Sequence, residues 1–163
     1  MKEEFFTGSL PVLALRGLAV YPEQTIHFDI GRIKSVLALE AAMKRDQVLM
    51  LAPQKDLLVE DPKFKDLYTI GTVVRVKQIL KPQGDNIRIL VQGLHRARLT
   101  ALEEDGLYLR GEIEPVEDSV WTADLRTTAL CREANDLFST YLNYGDHSVQ
   151  GLRLRLASSK DCG

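Results

Sequence analysis

Few side chains in this sequence have the types and spacing that catalysis or metal binding requires. His27, His95 and His147 are far apart along the chain and lie on different predicted elements, which argues against a shared metal site. The acidic run 103–105 comes directly before Gly106, a pattern typical of a solvated turn rather than of a catalytic acid and base. We therefore expect three surface or half-buried histidines and no catalytic carboxylate pair.

The sequence also lacks the motifs of ATP hydrolysis and of proteolysis. A phosphate-binding loop of the form G-x-x-x-x-G-K-[ST] needs a Gly-Lys pair, and no glycine here is followed by lysine. Neither the nucleophile motif G-x-S-x-G nor the zinc-binding motif H-E-x-x-H occurs. The chain is therefore predicted to be noncatalytic and to hold neither a cofactor nor a metal ion.

Composition indicates a globular protein of one domain, or of one domain and the start of a second. The 163 residues are 45% hydrophobic and 27% charged, with a formal net charge of -2 and a pI near 5.9. This balance argues against nucleic-acid binding by the whole surface and favours protein partners. Cys131 and Cys162 lack a metal-type spacing and are predicted to be free thiols, and no apolar run fits a signal peptide or a membrane span. The cytoplasm is the expected compartment.

The charges on the central strands are separated by sign. Between positions 71 and 101 there are six Lys or Arg residues and one acid, whereas positions 102–118 hold seven acids and one Arg. One interpretation, which we favour, is cross-strand ion pairing on the wet face of a sheet, with acids such as Glu112 and Glu114 as partners. The other is a basic stripe that contacts nucleic acid. The candidate bases are Arg75, Lys77, Arg88, Arg96 and Arg98.

A second group of charges lies where a helix is predicted to begin. Arg32 and Lys34 occupy its first turn, where the helix dipole favours acidic side chains, so local stability does not account for them. With the apolar residue between them and two apolar residues of the preceding strand, they form a patch suited to a peptide partner. The candidate substrate-binding residues are therefore Ile26, Phe28, Arg32, Ile33 and Lys34.

The alternative is a structural role for the same residues. In that case Ile33 is a core residue, and the two bases pair with nearby acids such as Glu40 or Asp29. The first interpretation predicts that a substitution of Ile33 changes thermal stability little, and the second predicts a large drop in melting temperature.

The elements that position these residues follow an α+β pattern. Apolar runs, alternation of apolar and charged residues, and Gly or Pro breaks predict short strands around one amphipathic helix. The predicted strands cover 12–15, 25–30, 47–52, 72–80, 87–92, 94–102 and 107–116, and the helix covers 32–46. Six or more short strands around one helix indicate a small curled sheet or a barrel, and we expect a mostly antiparallel, barrel-like domain.

The character of the sequence changes after Asp118. Positions 121–144 show apolar residues at helical spacing, and Gly145 fits a helix stop. The apolar stripe is too long for a barrel to cover, so this helix is expected to start a helical region that continues past the sequence. We therefore predict a β domain over 1–118 and the start of a helical subdomain over 119–163.

Six short segments carry a resemblance to a known family. They are Leu10–Pro22, Gly31–Ser35, Leu39–Met43, Ala52–Lys55, Gly71–Val74 and Val91–Arg98, and with them the sequence resembles the amino-terminal domain of bacterial Lon proteases. The resemblance implies a PUA-like barrel that recognises unfolded or damaged polypeptides and contributes to hexamer assembly in protein quality control. It also implies that ATP and Mg²⁺ bind a separate ATPase module and that the protease serine and lysine lie in a further module.

The sequence departs from the family pattern at two positions. Gly17 stands where an acid is common, and Ile33 stands where a charged residue is common, which changes the charge of the patch. The alternative function is a free-standing Lon-domain protein that binds nucleic acid, since this type of barrel also occurs in RNA-binding modules. The long helix after position 118 and the negative net charge favour the substrate-binding segment.

Overall fold

The computed structural model describes residues 5–80, 86–103, 106–117 and 124–143. The chain divides into two compact units, Met1–Glu117 and Asp118–Gly163. The described part of the first unit contains six strands and a helix, and that of the second contains one helix.

In its described residues, the first unit consists of six β-strands, one packed helix and a short 3-10 helix. The strands are β1 (Gly8–Leu15), β2 (Thr25–Ile30), β3 (Val48–Pro53), β4 (Ile70–Leu80), β5 (Ile87–Glu103) and β6 (Arg110–Pro115), and the helix is α1 (Ile33–Met43); a short 3-10 helix covers Phe64–Asp66. Apart from their ends, these elements lie where the sequence predicts them. The exception is the pair 87–92 and 94–102, which forms the single 17-residue strand β5.

Gly93 lies inside β5, where another segment crosses the strand closely. Its carbonyl accepts a hydrogen bond from the Glu23 amide at 3.0 Å, and its own amide donates to the Gln24 carbonyl at 2.8 Å. A Cβ at this position would lie 2.1 Å from the carbonyl oxygen of Tyr21. The glycine therefore marks a close backbone approach and not the end of a strand.

The strands form one sheet that closes on itself. Their order is β2-β5-β4-β3-β1-β6, and β6 also pairs with β5. β5 is long enough to pair with β2 along its first part and with β6 along its second, and register shifts bend it and β4. Among the described strands, every pairing is antiparallel except that of β1 with β3. The prediction of an α+β fold, a mostly antiparallel barrel with one packed helix, is confirmed.

Two apolar clusters fill the two faces of the sheet around β3. Successive residues of this strand alternate between them, so that Leu49 and Leu51 join one cluster while Met50 and Ala52 join the other. The first cluster also contains Leu39 of α1, which is 2% exposed. The helix thereby packs against β1 and β3.

The described part of the second unit is the helix α2 (Leu125–Asn143), as predicted from the sequence. Asp124 precedes it and accepts a hydrogen bond from the Thr127 amide at 2.6 Å, a contact that caps the helix. Hydrogen bonding from the Thr127 side chain, and secondly from its amide, lowers the pKa of Asp124. Leu125, Leu137 and Tyr141 are exposed. In the described ranges, neither helix has the length and hydropathy needed to cross a membrane.

Cys131 on α2 takes part in a disulfide, so the prediction of a free thiol at this position is wrong. The wide spacing of the two cysteines gives no indication of pairing, because only the folded chain decides which thiols meet. The other cysteine, Cys162, lies outside the described residues.

Candidate functional site

A cavity of about 390 Å³ opens beside the first turn of α1. One wall is apolar and consists of Val12 and Ala14 from β1 together with Leu109, the residue before β6. The other side of the cavity is charged. Its charged side chains come from the residue after β1, from the start of α1 and from the segment 60–62. The cavity therefore presents apolar and charged surface side by side.

The charged residues of the cavity are three bases and two acids. Lys34 is neutralised by Asp61, whose carboxylate oxygen lies 2.7 Å from Nζ. Arg16 and Arg32 donate instead to neutral oxygen atoms, at 3.2 Å and 2.5 Å. In the described part of the chain, no ion pair joins either guanidinium to a carboxylate. With Glu60 as the remaining acid, the cavity keeps an excess of positive charge.

Gln54 connects both arginines to the loop that follows β3. Its side chain is buried; Oε1 accepts the bond from Arg32, and Nε2 donates to the carbonyls of Asp56 at 3.2 Å and Val59 at 3.0 Å. The carbonyl of Val59 also accepts the bond from Arg16. One buried amide thus fixes the loop and the direction of Arg32.

The two guanidiniums lie close enough to influence each other. Burial and repulsion from Arg16 lower the pKa of Arg32 from its ordinary value, and the carboxylates of Asp61 and Glu60 oppose that shift. Arg32 nevertheless stays protonated at any pH at which the protein is folded, because a guanidinium holds its proton far above neutrality. The side of the cavity formed by Arg16 and Arg32 is therefore cationic, and Arg32 is partly desolvated.

The structure brings three of the five predicted patch residues together. Arg32, Ile33 and Lys34 line the cavity. Phe28 lines a neighbouring cavity of about 370 Å³, which Arg32 also lines, whereas Ile26 lines neither of these two cavities. Both residues of β2 are half-buried and pack against the first apolar cluster. Their inclusion in a binding patch stays a prediction.

Ile33 is exposed at the start of α1. Its exposed fraction is 78%, so the alternative that places it in the core is wrong. The ion pairs of that alternative are wrong as well, because Lys34 pairs with Asp61 and Asp29 pairs with Arg88. The loop after β3 brings Asp61 to Lys34 at the start of α1. This ion pair could not be predicted from the sequence, because the two residues are far apart along the chain.

Cross-strand pairing accounts for part of the charge pattern on the sheet. Arg88 of β5 donates two hydrogen bonds to Asp29 of β2, at 2.6 and 2.8 Å, and these contacts lower the pKa of the carboxyl group. Arg98 lies opposite Glu114 in the register of β5 and β6. The acid that neutralises Arg88 therefore belongs to β2, and not to β6 as predicted.

His95 is a buried structural residue, with an exposed fraction of 8%. Nε2 accepts a hydrogen bond from the Phe6 amide at 3.0 Å, and Nδ1 lies 3.0 Å from the Arg96 carbonyl, so a neutral ring with its hydrogen on Nδ1 satisfies both contacts. His27 is exposed, and His147 lies outside the described residues. Among the residues that the structure describes, no cluster of His, Cys, Asp or Glu is placed to hold a metal ion.

Sequence reasoning missed Arg16, Gln54 and Asp61 as parts of the site. Arg16 and Asp61 come from separate segments and line one cavity, whereas Gln54 acts on the cavity through its hydrogen bond with Arg32. The one signal in the sequence is the position of Gln54, a polar residue directly after the apolar strand β3.

Sequence comparisons match the chain to one domain of Lon proteases. The profile of the ATP-dependent protease La (LON) substrate-binding domain matches residues 9–161. The Lon protease of Bacillus thuringiensis (strain Al Hakam) is 41% identical over 133 residues, which cover 82% of this chain and 17% of the relative. The Lon protease of Clostridioides difficile (strain 630) is 36% identical over 156 residues, or 93% of this chain and 20% of the relative. The chain thus spans about a fifth or less of the length of these relatives.

Two solved structures share the fold. The N-terminal domain of a Mycobacterium avium complex Lon protease gives a TM-score of 0.71 at 21% identity, covering 94% of this chain and 76% of that one. The Lon N-terminal domain protein of Xanthomonas campestris gives 0.57 at 15% identity, covering 94% and 91%. At these identities the likeness shows the fold alone. Because the family profile matches nearly the whole sequence, the chain belongs to the Lon substrate-binding domain family.

Proposed function

We propose that this chain is the noncatalytic N-terminal part of an ATP-dependent Lon protease and that it binds unfolded or damaged polypeptides at the cavity beside α1. The observation that carries the proposal is the exposure of Ile33 between two bases, at a cavity with an apolar wall. An exposed apolar residue surrounded by charged groups is typical of a protein-binding surface. Unfolded segments offer the apolar side chains that such a surface contacts.

The remaining properties that we propose belong to the parent protein. Because the chain spans about a fifth or less of its relatives, ATP and Mg²⁺ binding and the serine endopeptidase activity are assigned to modules outside it. The parent is proposed to assemble as a homo-hexamer and to act in protein quality control in the cytoplasm. This chain is proposed to contain no cofactor or metal site and to contact no membrane.

An Ile33→Asp variant, alone and combined with Arg32→Ala, should bind labelled casein, a natively unfolded protein, about tenfold more weakly. Burial of an isoleucine side chain contributes about 1.5–3 kcal/mol, and 1.4 kcal/mol corresponds to tenfold in the dissociation constant. Fluorescence anisotropy measures the change, and thermal unfolding shows whether each variant remains folded.

Leu107→Asp is the matched control for this prediction. Leu107 is 79% exposed, nearly the same as Ile33, and lines neither of the two cavities. This variant should bind casein like the unaltered chain. Equal dissociation constants for the Ile33 variants and the control contradict the proposed site.

A free-standing Lon-domain protein that binds nucleic acid is the second candidate function. The observation in its favour is the exposure of Lys77 and Arg98 on the neighbouring strands β4 and β5. Against it stand the pairing of Arg88 with Asp29 and the position of Glu114 opposite Arg98. Acids thus accompany the bases on the same sheet.

Short single-stranded RNA should therefore bind with a dissociation constant weaker than about 1 μM at 0.15 M salt, within the range of nonspecific contacts. A Lys77→Gln, Arg98→Gln variant should bind no differently, because few phosphates are contacted. Anisotropy over a salt series is the measurement. Submicromolar affinity that falls steeply with salt, with a slope flattened by about 0.7 for each charge removed, would instead support the nucleic-acid function.

A further inference from the structure

Arg16 and Arg32 have hydrogen-bonding capacity that the protein itself does not use. A guanidinium offers five N–H donors, and each of these two donates one bond to a neutral oxygen. No carboxylate in the described residues forms an ion pair with either. Two neighbouring cationic groups with spare donors are arranged to bind a carboxylate, which would also offset their mutual repulsion.

The apolar wall lies in the same cavity as these arginines. Val12 and Leu109 are 1% and 5% exposed, so the wall is a firm part of the packed sheet. The cavity volume of about 390 Å³ is near the lower end of the roughly 300–1,000 Å³ of ligand pockets, which suits one or two amino-acid residues better than a long segment. A ligand that fills it carries an apolar side chain and a negative charge close together.

We infer that the cavity binds the C-terminal residue of a polypeptide, with its α-carboxylate on the two arginines and an apolar side chain on the apolar wall. In a C-terminal residue the carboxylate and the side chain are attached to the same Cα. This arrangement matches the cavity, where the two arginines lie beside the apolar wall. The inference rests on the proposed function and narrows its substrate class to polypeptides with an apolar C-terminal residue.

The remaining charges of the cavity favour a single terminal carboxylate over an acidic stretch. Glu60 and Asp61 line the same cavity and repel further acids, while the excess of positive charge corresponds to one negative group. The first turn of α1 also lines the cavity, and the amides of a first helical turn lack intrahelical acceptors, so they add to the preference for a negative group.

Three synthetic octapeptides that end in Ala-Leu-Leu test the inference on the unaltered chain. The first has a free C-terminal carboxylate, the second is its amide, and the third is the amide with one internal residue replaced by aspartate. By fluorescence anisotropy, the second and third should bind at least about tenfold more weakly than the first, because they lack charge-assisted bonds to the guanidiniums.

Variants then assign the effect to the two arginines. Arg16→Gln and Arg32→Gln should reduce the ratio of carboxylate to amide affinity from about tenfold to less than about threefold, since the charge that distinguishes the peptides is gone. Arg45→Gln is the matched control, because Arg45 is exposed beyond the end of α1 and should leave the ratio unchanged. The peptide comparison on the unaltered chain needs no variant, so a destabilised arginine variant does not prevent a decision.

Equal affinity for the carboxylate and amide peptides would overturn the inference, and so would an internal aspartate that restores full affinity. Casein binding keeps the two proposals separable. If casein binds through Ile33 while the peptides do not differ, the inference fails and the proposed function stands. If casein does not bind, both fail.

Discussion

Replacing Leu39 by alanine should lower the free energy of unfolding by about 2–5 kcal/mol, whereas replacing Ile33 by alanine should change it by less than about 0.5 kcal/mol. The two residues lie on the same helix, but Leu39 is 2% exposed within the first apolar cluster and Ile33 is 78% exposed. Truncation of Leu39 leaves a cavity that the surrounding strands cannot fill by moving, because they are fixed in a closed sheet. Truncation of Ile33 removes contacts mainly with water.

Urea unfolding of the two variants and of the unaltered chain measures both changes. The Leu39 side chain anchors α1. The Leu39→Ala variant should therefore also bind casein more weakly near its melting temperature, where the first turn of α1 is unfolded in part of the population. A large loss of stability in Ile33→Ala would show that this side chain packs in the core, and the binding patch would then have no basis.

Much of the fold was predictable because its signals are local. Strand alternation and the apolar stripe of α1 depend on neighbouring residues, and they located six strands and both helices in the described ranges. The error at β5 has a specific cause. Gly93 has the same local appearance as a strand break, and its role depends on Tyr21, which packs against it from a distant position in the sequence.

The site was predictable only where its residues are contiguous. Arg32, Ile33 and Lys34 follow one another, and unfavourable bases in a first helical turn can be recognised without a structure. Arg16 and Asp61 join them through the closure of the sheet and the folded loop after β3. No local sequence pattern predicts these long-range contacts, because they depend on the strand register and on the path of the loop.

Gln54 gives the second large effect that we expect. A Gln54→Met variant keeps the volume of the side chain but removes three hydrogen bonds, one from Arg32 and two to the loop carbonyls of Asp56 and Val59. Loss of the buried amide should lower the free energy of unfolding by about 1–3 kcal/mol, since Arg32 and the Asp56 carbonyl lose this partner while the Val59 carbonyl keeps only its bond from Arg16. Arg32 also loses its fixed direction, so the cavity no longer presents two guanidiniums in one arrangement.

The stability and the binding of this variant should therefore change together. Urea unfolding measures the first, and the ratio of carboxylate to amide peptide affinity measures the second, which should fall from about tenfold towards equality. Gln78→Met is the matched control, because Gln78 is exposed on β4 and lines neither cavity. Lower stability with an unchanged affinity ratio would show that the loop needs Gln54 but the arginines do not. Unchanged stability would show that water replaces the amide, and the cavity would then owe its shape to β1 and α1 alone.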